Sequence, residues 1–464
     1  MTNAQSDRSR LGYVIAIAAT AAMGGFLFGF DTAVINGAVI ALEETFQTST
    51  WVIGLSVSLA LLGSALGAFV AGPLANHAGR TRCMVVASVF FTISAIGSGL
   101  PFTIWDFIFW RVLGGIAVGA ASVIAPAYIA EIAPAHLRGR LGSLQQLAIV
   151  VGIFVSLLSN FFIARAAGSA TALFWGGFTA WKWMFWMEAI PAALYGLAAL
   201  GIPESPRFLV ARHRLAEARI VLDQVLGGDV EEKIADIHAS LHSEKPPRLS
   251  DIRGRFGLLP IVWVGIGLSA LQQFVGINVI FYYGSALWRA VGFSEQHALA
   301  INVVTALTNI LTTLVAIATV DRFGRRPLLL FGSVGMAVTL AAMAACFAGA
   351  PLDASGSPVL AGAGAWTALV AANLYIFFFG CSWGPVVWVL LGEMFNNRIR
   401  AAALAVAASA QWVANFAVST TFPPMSRGLG LGASYGIYAA FAAISYFFVR
   451  IWVKETKGRE LESM

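Results

Sequence analysis

Runs of about twenty mainly apolar residues, separated by short polar segments, recur twelve times along the chain. Each is long enough to cross a hydrocarbon layer about 30 Å thick as a single helix. Their centres fall in 12–40, 51–74, 83–100, 105–128, 142–164 and 183–202, then in 257–288, 297–320, 328–349, 364–391, 402–423 and 433–453. One long polar interval, 203–255, separates the first six runs from the last six. Within it Leu215, Ala218, Leu222, Val225 and Leu226 recur at helical spacing among charged residues, which predicts short amphipathic helices rather than a flexible tether. The pattern predicts an all-α membrane protein of twelve transmembrane helices in two six-helix bundles. The expected divisions are 1–202, a helical linker over 203–255, and 256–464.

The few polar signatures between the runs occur twice, about half the chain apart. Gly79-Arg80 follows one apolar run and Gly324-Arg325 another. Glu131 precedes Arg138 by seven residues, and Glu393 precedes Arg400 by the same spacing. Pro-Glu-Ser-Pro-Arg at 203–207 has its counterpart in Lys-Glu-Thr-Lys-Gly at 454–458, which pairs Glu204 with Glu455. Three such pairs imply a duplicated, pseudo-symmetric membrane domain. Parallel repeats of this kind suit a transporter, in which two similar bundles rock about a site held between them.

Composition and charge narrow the picture. With 58% apolar and 11% charged residues, the chain lies outside the range of soluble domains. Placing the N-terminus in the cytoplasm puts 23 of the 29 Lys and Arg in cytoplasmic loops; Arg165, Lys182, Arg289 and Arg427 fall outside, and Arg111 and Arg450 within spans. That bias orients both termini to the cytoplasm. It also accounts for the net charge of +6 without a nucleic-acid partner. The polar first ten residues lead into a span longer than a signal peptide's apolar core, so the first helix is expected to be retained. Cys83, Cys346 and Cys381 lack metal or redox spacing and read as packing residues. No phosphate-cradling loop, metal-spaced His cluster or nucleophile elbow marks an enzyme, and no cofactor or metal is called for.

RVLGGIAVG at Arg111, AEIAPAHLRGR (130–140), PESPRFL (203–209), QQFVGIN (272–278), DRFGRRP (321–327) and ETKGRELE (455–462) together carry a resemblance to the sugar porter branch of the major facilitator superfamily. The resemblance covers nearly the whole chain. It is closest to the proton-coupled xylose-type symporters of bacteria and to the facilitative glucose transporters of animals. It implies the major facilitator fold, alternating access to a monosaccharide, and a bacterial inner membrane as the location. A single chain suffices, so a monomer is expected.

Asp31 separates the two subgroups. A carboxylate inside a span is costly and usually marks an ion or proton relay. The resemblance implies an aspartate here in symporters and a neutral amide in facilitators, so the residue present favours proton coupling. The alternative is that Asp31 caps or hydrates the outer end of its helix, which Asn36-Gly37 would allow. Arg111 matches the arginine that pairs with this aspartate, although it could instead snorkel to the interface. Glu188 matches a second carboxylate of the xylose-type symporters; with Trp181, Trp183 and Trp186 around it, an interfacial position is the competing reading.

A sugar site needs amides for hydroxyls and aromatic faces for C–H surface. The resemblance assigns sugar contacts to Gln146 in the fifth span, Gln272, Gln273 and Asn278 in the seventh, and Asn309 in the eighth. The seventh-span amides cannot share one face of a regular helix, so a break at Gly276 is expected. Tyr282, Trp383, Trp388, Gln411 and Trp412 complete the candidates; the competing reading makes the amides interhelical glue and the tryptophans an interface belt. Ile153 stands where xylose-type symporters have glutamine and glucose facilitators isoleucine, which leans toward a hexose. Asn76, Asn396 and Lys454 depart from the family pattern only in structural detail. On the cytoplasmic side Glu131, Glu204 and Glu393 are expected to accept bonds from Arg80, Arg138, Arg325 and Arg400 when the inner face closes, and to release them when it opens. A uniporter remains possible on sequence grounds, and a transport-dead sugar sensor less so.

Overall fold

The computed structural model describes residues 2–134, 137–225, 230–243, 249–255, 257–351, 358–395 and 399–457, without the side chains of 2–9, 138–140, 240, 242–243, 249–250, 321 and 401. Twelve helices or broken helices among them are long and apolar enough to cross a membrane. The first six spans are α1 (Thr2–Phe46), α2 (Thr50–Ala78), α3 (Arg80–Gly99), α4 (Ile104–Ile132), α5 (Arg138–Ala167), and a sixth split into α6 (Ala180–Trp186) and α7 (Ala189–Gly201). Three short helices follow, α8 (Pro206–Ala211), α9 (Leu215–Val225) and α10 (Val230–Ser243), and then a two-stranded turn pairing Arg253–Gly254 with Gly257–Leu258. The second set is α11 (Pro260–Phe274) with α12 (Ile277–Ala290), α13 (Glu295–Phe323), α14 (Arg325–Ala348), α15 (Gly362–Gly380) with α16 (Trp383–Met394), α17 (Arg400–Gly428) and α18 (Gly430–Trp452).

The linker helix α9 forms largely for the reason the spacing gives: Ala218, Leu222 and Val225 are buried, joined by Val221, while the charged face is exposed; Leu215 is exposed at the helix start and Leu226 lies outside the described residues. Its end packs near α1, where the Tyr13 hydroxyl donates to Gln224 Oε1 at 3.3 Å. This defines a linker face and an opposite, far face.

Between apolar helices in a membrane there is no hydrophobic drive to associate, so close packing must come from small residues. In the first half, a methyl at Gly115 or Gly119 of α4 would lie 2.0 or 1.9 Å from the carbonyl oxygens of Ala60 or Ser64. Gly29 and Gly152 do the same for α1 against α5, each 2.0 Å from the facing carbonyl.

The repeated signatures have the same structure twice. Gly79 (φ 102°, ψ 161°) ends α2, and Gly324 (φ 90°, ψ 165°) ends α13, in a conformation that side chains other than glycine's disfavour. At the first, the Glu204 carboxylate accepts from the backbone N–H groups of Arg80 (2.9 Å) and Thr81 (3.3 Å). At the second, Glu455 accepts from those of Arg325 (3.0 Å) and Arg326 (2.9 Å). Each carboxylate therefore caps the exposed N–H groups of the helix that begins there.

Candidate functional site

In the first half α1 runs well past Asp31 to Phe46, which removes the helix-end reading of that residue. Asp31, Arg111 and Glu188 are each 1% exposed, too buried for a snorkelling arginine or an interfacial glutamate. Arg111 donates through Nη1 to Asp31 Oδ1 at 2.7 Å and through Nη2 to the Asp31 carbonyl at 2.9 Å. Its guanidinium lies over the Phe185 ring at 5.8 Å. Gly114 makes the approach possible, since a methyl there would meet Asp31 Oδ1 at 3.1 Å and the Ser94 hydroxyl at 2.4 Å. Glu188 is close enough to interact electrostatically with both partners. Asp31 Oδ2, Arg111 Nε and Glu188 Oε1 have no hydrogen-bond partner among the described residues. The cluster therefore holds one cation against two carboxylates and retains unused acceptors where a proton can be placed.

In the second half the seventh span breaks as expected. Gly276 adopts φ 82°, and a methyl there would meet the Tyr438 ring at 2.6 Å, so both conformation and space require glycine. The break lets Asn278 Nδ2 donate to Gln273 Oε1 at 2.6 Å; Gln273 Nε2 donates to Gln272 Oε1 at 3.3 Å, and Gln272 Nε2 to the Trp383 and Gly384 carbonyls at 2.7 and 3.1 Å. Tyr375 secures the turn by donating to the Val275 carbonyl at 2.8 Å. Asn309 is buried with its side chain toward Gly380, and Gln411 Oε1 is buried with no hydrogen-bond partner among the described residues. Gln146 and Ile153 are both half-buried on α5, two turns apart on one side of that helix. Trp412 packs against Phe28 of the first half, ring centroids 6.0 Å apart.

Three expectations change. Trp383 is 0% exposed, and its indole N–H donates to the Leu329 carbonyl and Ser333 Oγ, both at 3.0 Å; it fixes the α15–α16 break and offers no face to a ligand. Trp388, at 43% exposure, is the open ring of the pair. The arginine and glutamate signatures, expected to bond as a gate on the cytoplasmic side, pair within each half and not across the two halves among the described residues. Arg80 pairs with Glu131 at 2.9 Å inside the first half, and Arg325 with Glu393 at 2.7 Å inside the second. Ser205 and Thr456 donate to Glu131 and Glu393 in the same two places. Arg400 reaches the Phe395 carbonyl at 3.1 Å instead of a carboxylate. The side chain of Arg138, and Asn396, lie outside the described residues.

The halves meet on the far face through residues that sequence reasoning missed. Asn36, fully buried, donates to the Phe281 carbonyl at 2.9 Å and accepts from Asn302 Nδ2 at 2.9 Å and Ser285 N at 3.3 Å; the Ser285 hydroxyl donates to its carbonyl. Thr420 donates to Ser58 Oγ at 2.6 Å, and Arg427 pairs with Glu43 at 2.5 Å. Asn415, whose Nδ2 lies 3.4 Å from the Tyr282 hydroxyl, was also missed. It could have been found four residues after Gln411, on the same helical face. Tyr282 in turn lines a cavity of about 10 Å³ together with Asp31, Thr32 and Arg111, the size of one water. The buried ion pair of one half and Tyr282 of the other thus face a common space.

The family profile "Sugar (and other) transporter" matches residues 17–464. A glucose transport protein of Synechocystis sp. is 65% identical over 97% of this chain and 97% of its own length. A D-xylose-proton symporter of Escherichia coli is 37% identical over 97% and 95%. Among solved structures, the inward-open conformation of the xylose transporter XylE from E. coli superposes with a TM-score of 0.83 at 36% identity, covering 97% of this chain and 98% of that one. The same transporter bound to 6-bromo-6-deoxy-D-glucose gives 0.78.

Proposed function

The chain belongs to the sugar transporter family, and from that premise we propose that it is a proton-coupled monosaccharide symporter that takes a hexose such as glucose. The observation that carries this reading is the buried Asp31–Arg111 pair, which shares a cavity with Tyr282 from the opposite half. Protonating Asp31 weakens its hold on Arg111 and frees the helices that carry them, and a sugar held by Gln273, Asn278 and Tyr282 draws the second half against the first. Each ligand then shifts the same equilibrium between far-face-open and linker-face-open states, which is the thermodynamic content of coupling.

Gln146, Gln272, Gln273, Asn278, Asn309, Gln411, Trp388 and Trp412 form the proposed sugar surface. Ile153 removes an amide from it and favours a hexose over xylose. Glu188 serves as a second proton acceptor beside Asp31. The two rocking bodies are 1–202 and 256–464, joined by the linker over 203–255, with Arg80–Glu131 and Arg325–Glu393 keeping each body rigid. The proposed setting is a bacterial inner membrane with both termini cytoplasmic, and the working unit is a monomer. Two relatives support the reading: a protein named as a glucose transport protein at 65% identity and one named as a D-xylose-proton symporter at 37%.

The test is uptake of labelled glucose into proteoliposomes with and without an inward proton gradient, with xylose as competitor. Accumulation above equilibrium that depends on the gradient and yields to glucose before xylose is expected. Equilibration that ignores the gradient would refute coupling.

A further inference from the structure

On the far face, outside the latch made by Asn36, lies a second cavity of about 210 Å³ that the transport reading does not use. Its walls come from both halves: Glu44 of α1 and Ser169 and Thr171 before α6 on one side, Ser285 and Arg289 of α12 and Glu295 of α13 on the other. The volume leaves room for one small polar molecule. Glu44, Thr171 and Arg289 are exposed at its rim, the Ser285 hydroxyl is engaged by the Asn36 carbonyl, and Ser169 Oγ accepts from Ala172 N at 3.1 Å. Glu44 has no ion-pair or hydrogen-bond partner among the described residues, and Arg289 has a single loose contact with Glu295 at 3.8 Å. Glu295 is held in place by Ala170 N at 2.7 Å, and Ser169 and Thr171 share one bond at 3.3 Å.

We propose that this cavity is a second solute site that binds one monosaccharide-sized polyol and, by doing so, holds the far face closed. Carboxylates that only accept, a guanidinium that only donates and hydroxyls that do both are the set that adjacent sugar hydroxyls require. No aromatic ring lines the cavity, so the site binds more weakly than the central one. Because both halves supply walls and Ser285 belongs to the latch, the site exists in the closed arrangement and comes apart when the far face opens. A ligand that binds one state alone shifts the population toward it. High sugar on the far face therefore slows turnover, and uptake passes through a maximum as concentration rises. That the polyol is a sugar rests on the transport reading.

The experiment titrates D-glucose into the purified full chain by saturation-transfer NMR. Two phases are expected in the wild type. The weaker should lose at least tenfold in affinity in the Glu44→Ala, Thr171→Val double variant and persist in the Gln273→Ala, Asn278→Ala double variant. A single phase that vanishes with Gln273 and Asn278 overturns this proposal and leaves the transport reading intact. A single phase that depends on Glu44 and Thr171 supports the proposal and removes the central sugar site, and no binding at all overturns both. Should the Glu44 and Thr171 variant fail to fold, Thr171→Cys in the Gln273→Ala, Asn278→Ala background gives the same answer. With the half-buried Cys346 replaced by Ala, D-glucose should slow its modification by a thiol reagent at least fivefold while the buried Cys83 and Cys381 stay silent, and unchanged labelling overturns the proposal.

Discussion

The buried Asp31–Arg111 pair makes opposite demands on its two members. Under the coupling proposal Asp31 spends part of each cycle protonated, so Asp31→Asn freezes a state the fold already tolerates, with Glu188 still able to balance Arg111. Counterflow of glucose should persist in that variant while gradient-driven accumulation disappears; proton uptake at the wild-type level would refute the role of Asp31. Arg111→Gln has no such state to fall back on. It leaves two buried carboxylates without a cation, a loss of the kind that costs about 3–5 kcal/mol, and should show as a lower melting temperature before any transport is measured. Trp383 and Trp412 differ in a comparable way. Glucose should quench tryptophan fluorescence less in Trp412→Phe, whereas Trp383→Phe should quench as the wild type does, because that ring is enclosed and its N–H already bonded. The sequence carried the residue types at these positions but could not separate the two rings, since burial at a helix break depends on what the neighbouring spans bring against it.

At the scale of elements, what could be read beforehand was whatever repeats or interrupts a pattern. The twelve spans, the linker helices and the Gly276 break follow from apolar run length, helical spacing and an amide set that no straight helix could align. The latch at Asn36 was not legible because its partners are largely backbone groups of α12, the Phe281 carbonyl and the Ser285 N–H, beside the Ser285 and Asn302 side chains, and a backbone group leaves no trace in sequence. The helix caps are intermediate: Glu204 and Glu455 stand out as a repeated pair, yet only the structure shows their carboxylates on backbone N–H groups instead of on arginines. Burial raises the Glu455 carboxyl pKa, but bonds from the N–H groups of Lys457, Arg325, Arg326 and Thr456 outweigh it and hold the group below its ordinary value of 4.5. A depressed carboxyl contributes stability above its unfolded pKa and loses it as pH falls through the folded one. The melting temperature should thus be level above about pH 5 and decline below about pH 4.5. Glu455→Gln should flatten part of that decline, and an identical pH profile would show that the cap contributes nothing.

For the whole molecule, the question is which contacts hold a half together and which hold the halves to each other, and two glycines in neighbouring spans separate them. A methyl at Gly115 would lie 2.0 Å from the Ala60 carbonyl, and both residues belong to the first half, so no rocking motion relieves the clash. A methyl at Gly54 would lie 2.5 Å from the Thr420 carbonyl of the second half, beside the Ser58–Thr420 bond, and parting the far face removes it entirely. Overpacking of this sort costs about 1–3 kcal/mol. In Gly115→Val that energy must come out of folding, and the yield of folded protein should drop. In Gly54→Val it enters the conformational equilibrium instead, where it is worth roughly a tenfold to hundredfold change in population, though not the ~5.5 kcal/mol that a complete reversal from 1:99 to 99:1 would take. Spin labels at the far ends of α2 and α17 should report a longer distance in Gly54→Val at near-normal yield. If the distance is unchanged and the yield falls as it does for Gly115→Val, the far-face contact is part of a rigid core and does not separate during transport. If it lengthens, the far-face cavity bounded by Glu44 and Arg289 should be lost in the same variant, and with it the slowing of uptake at high sugar.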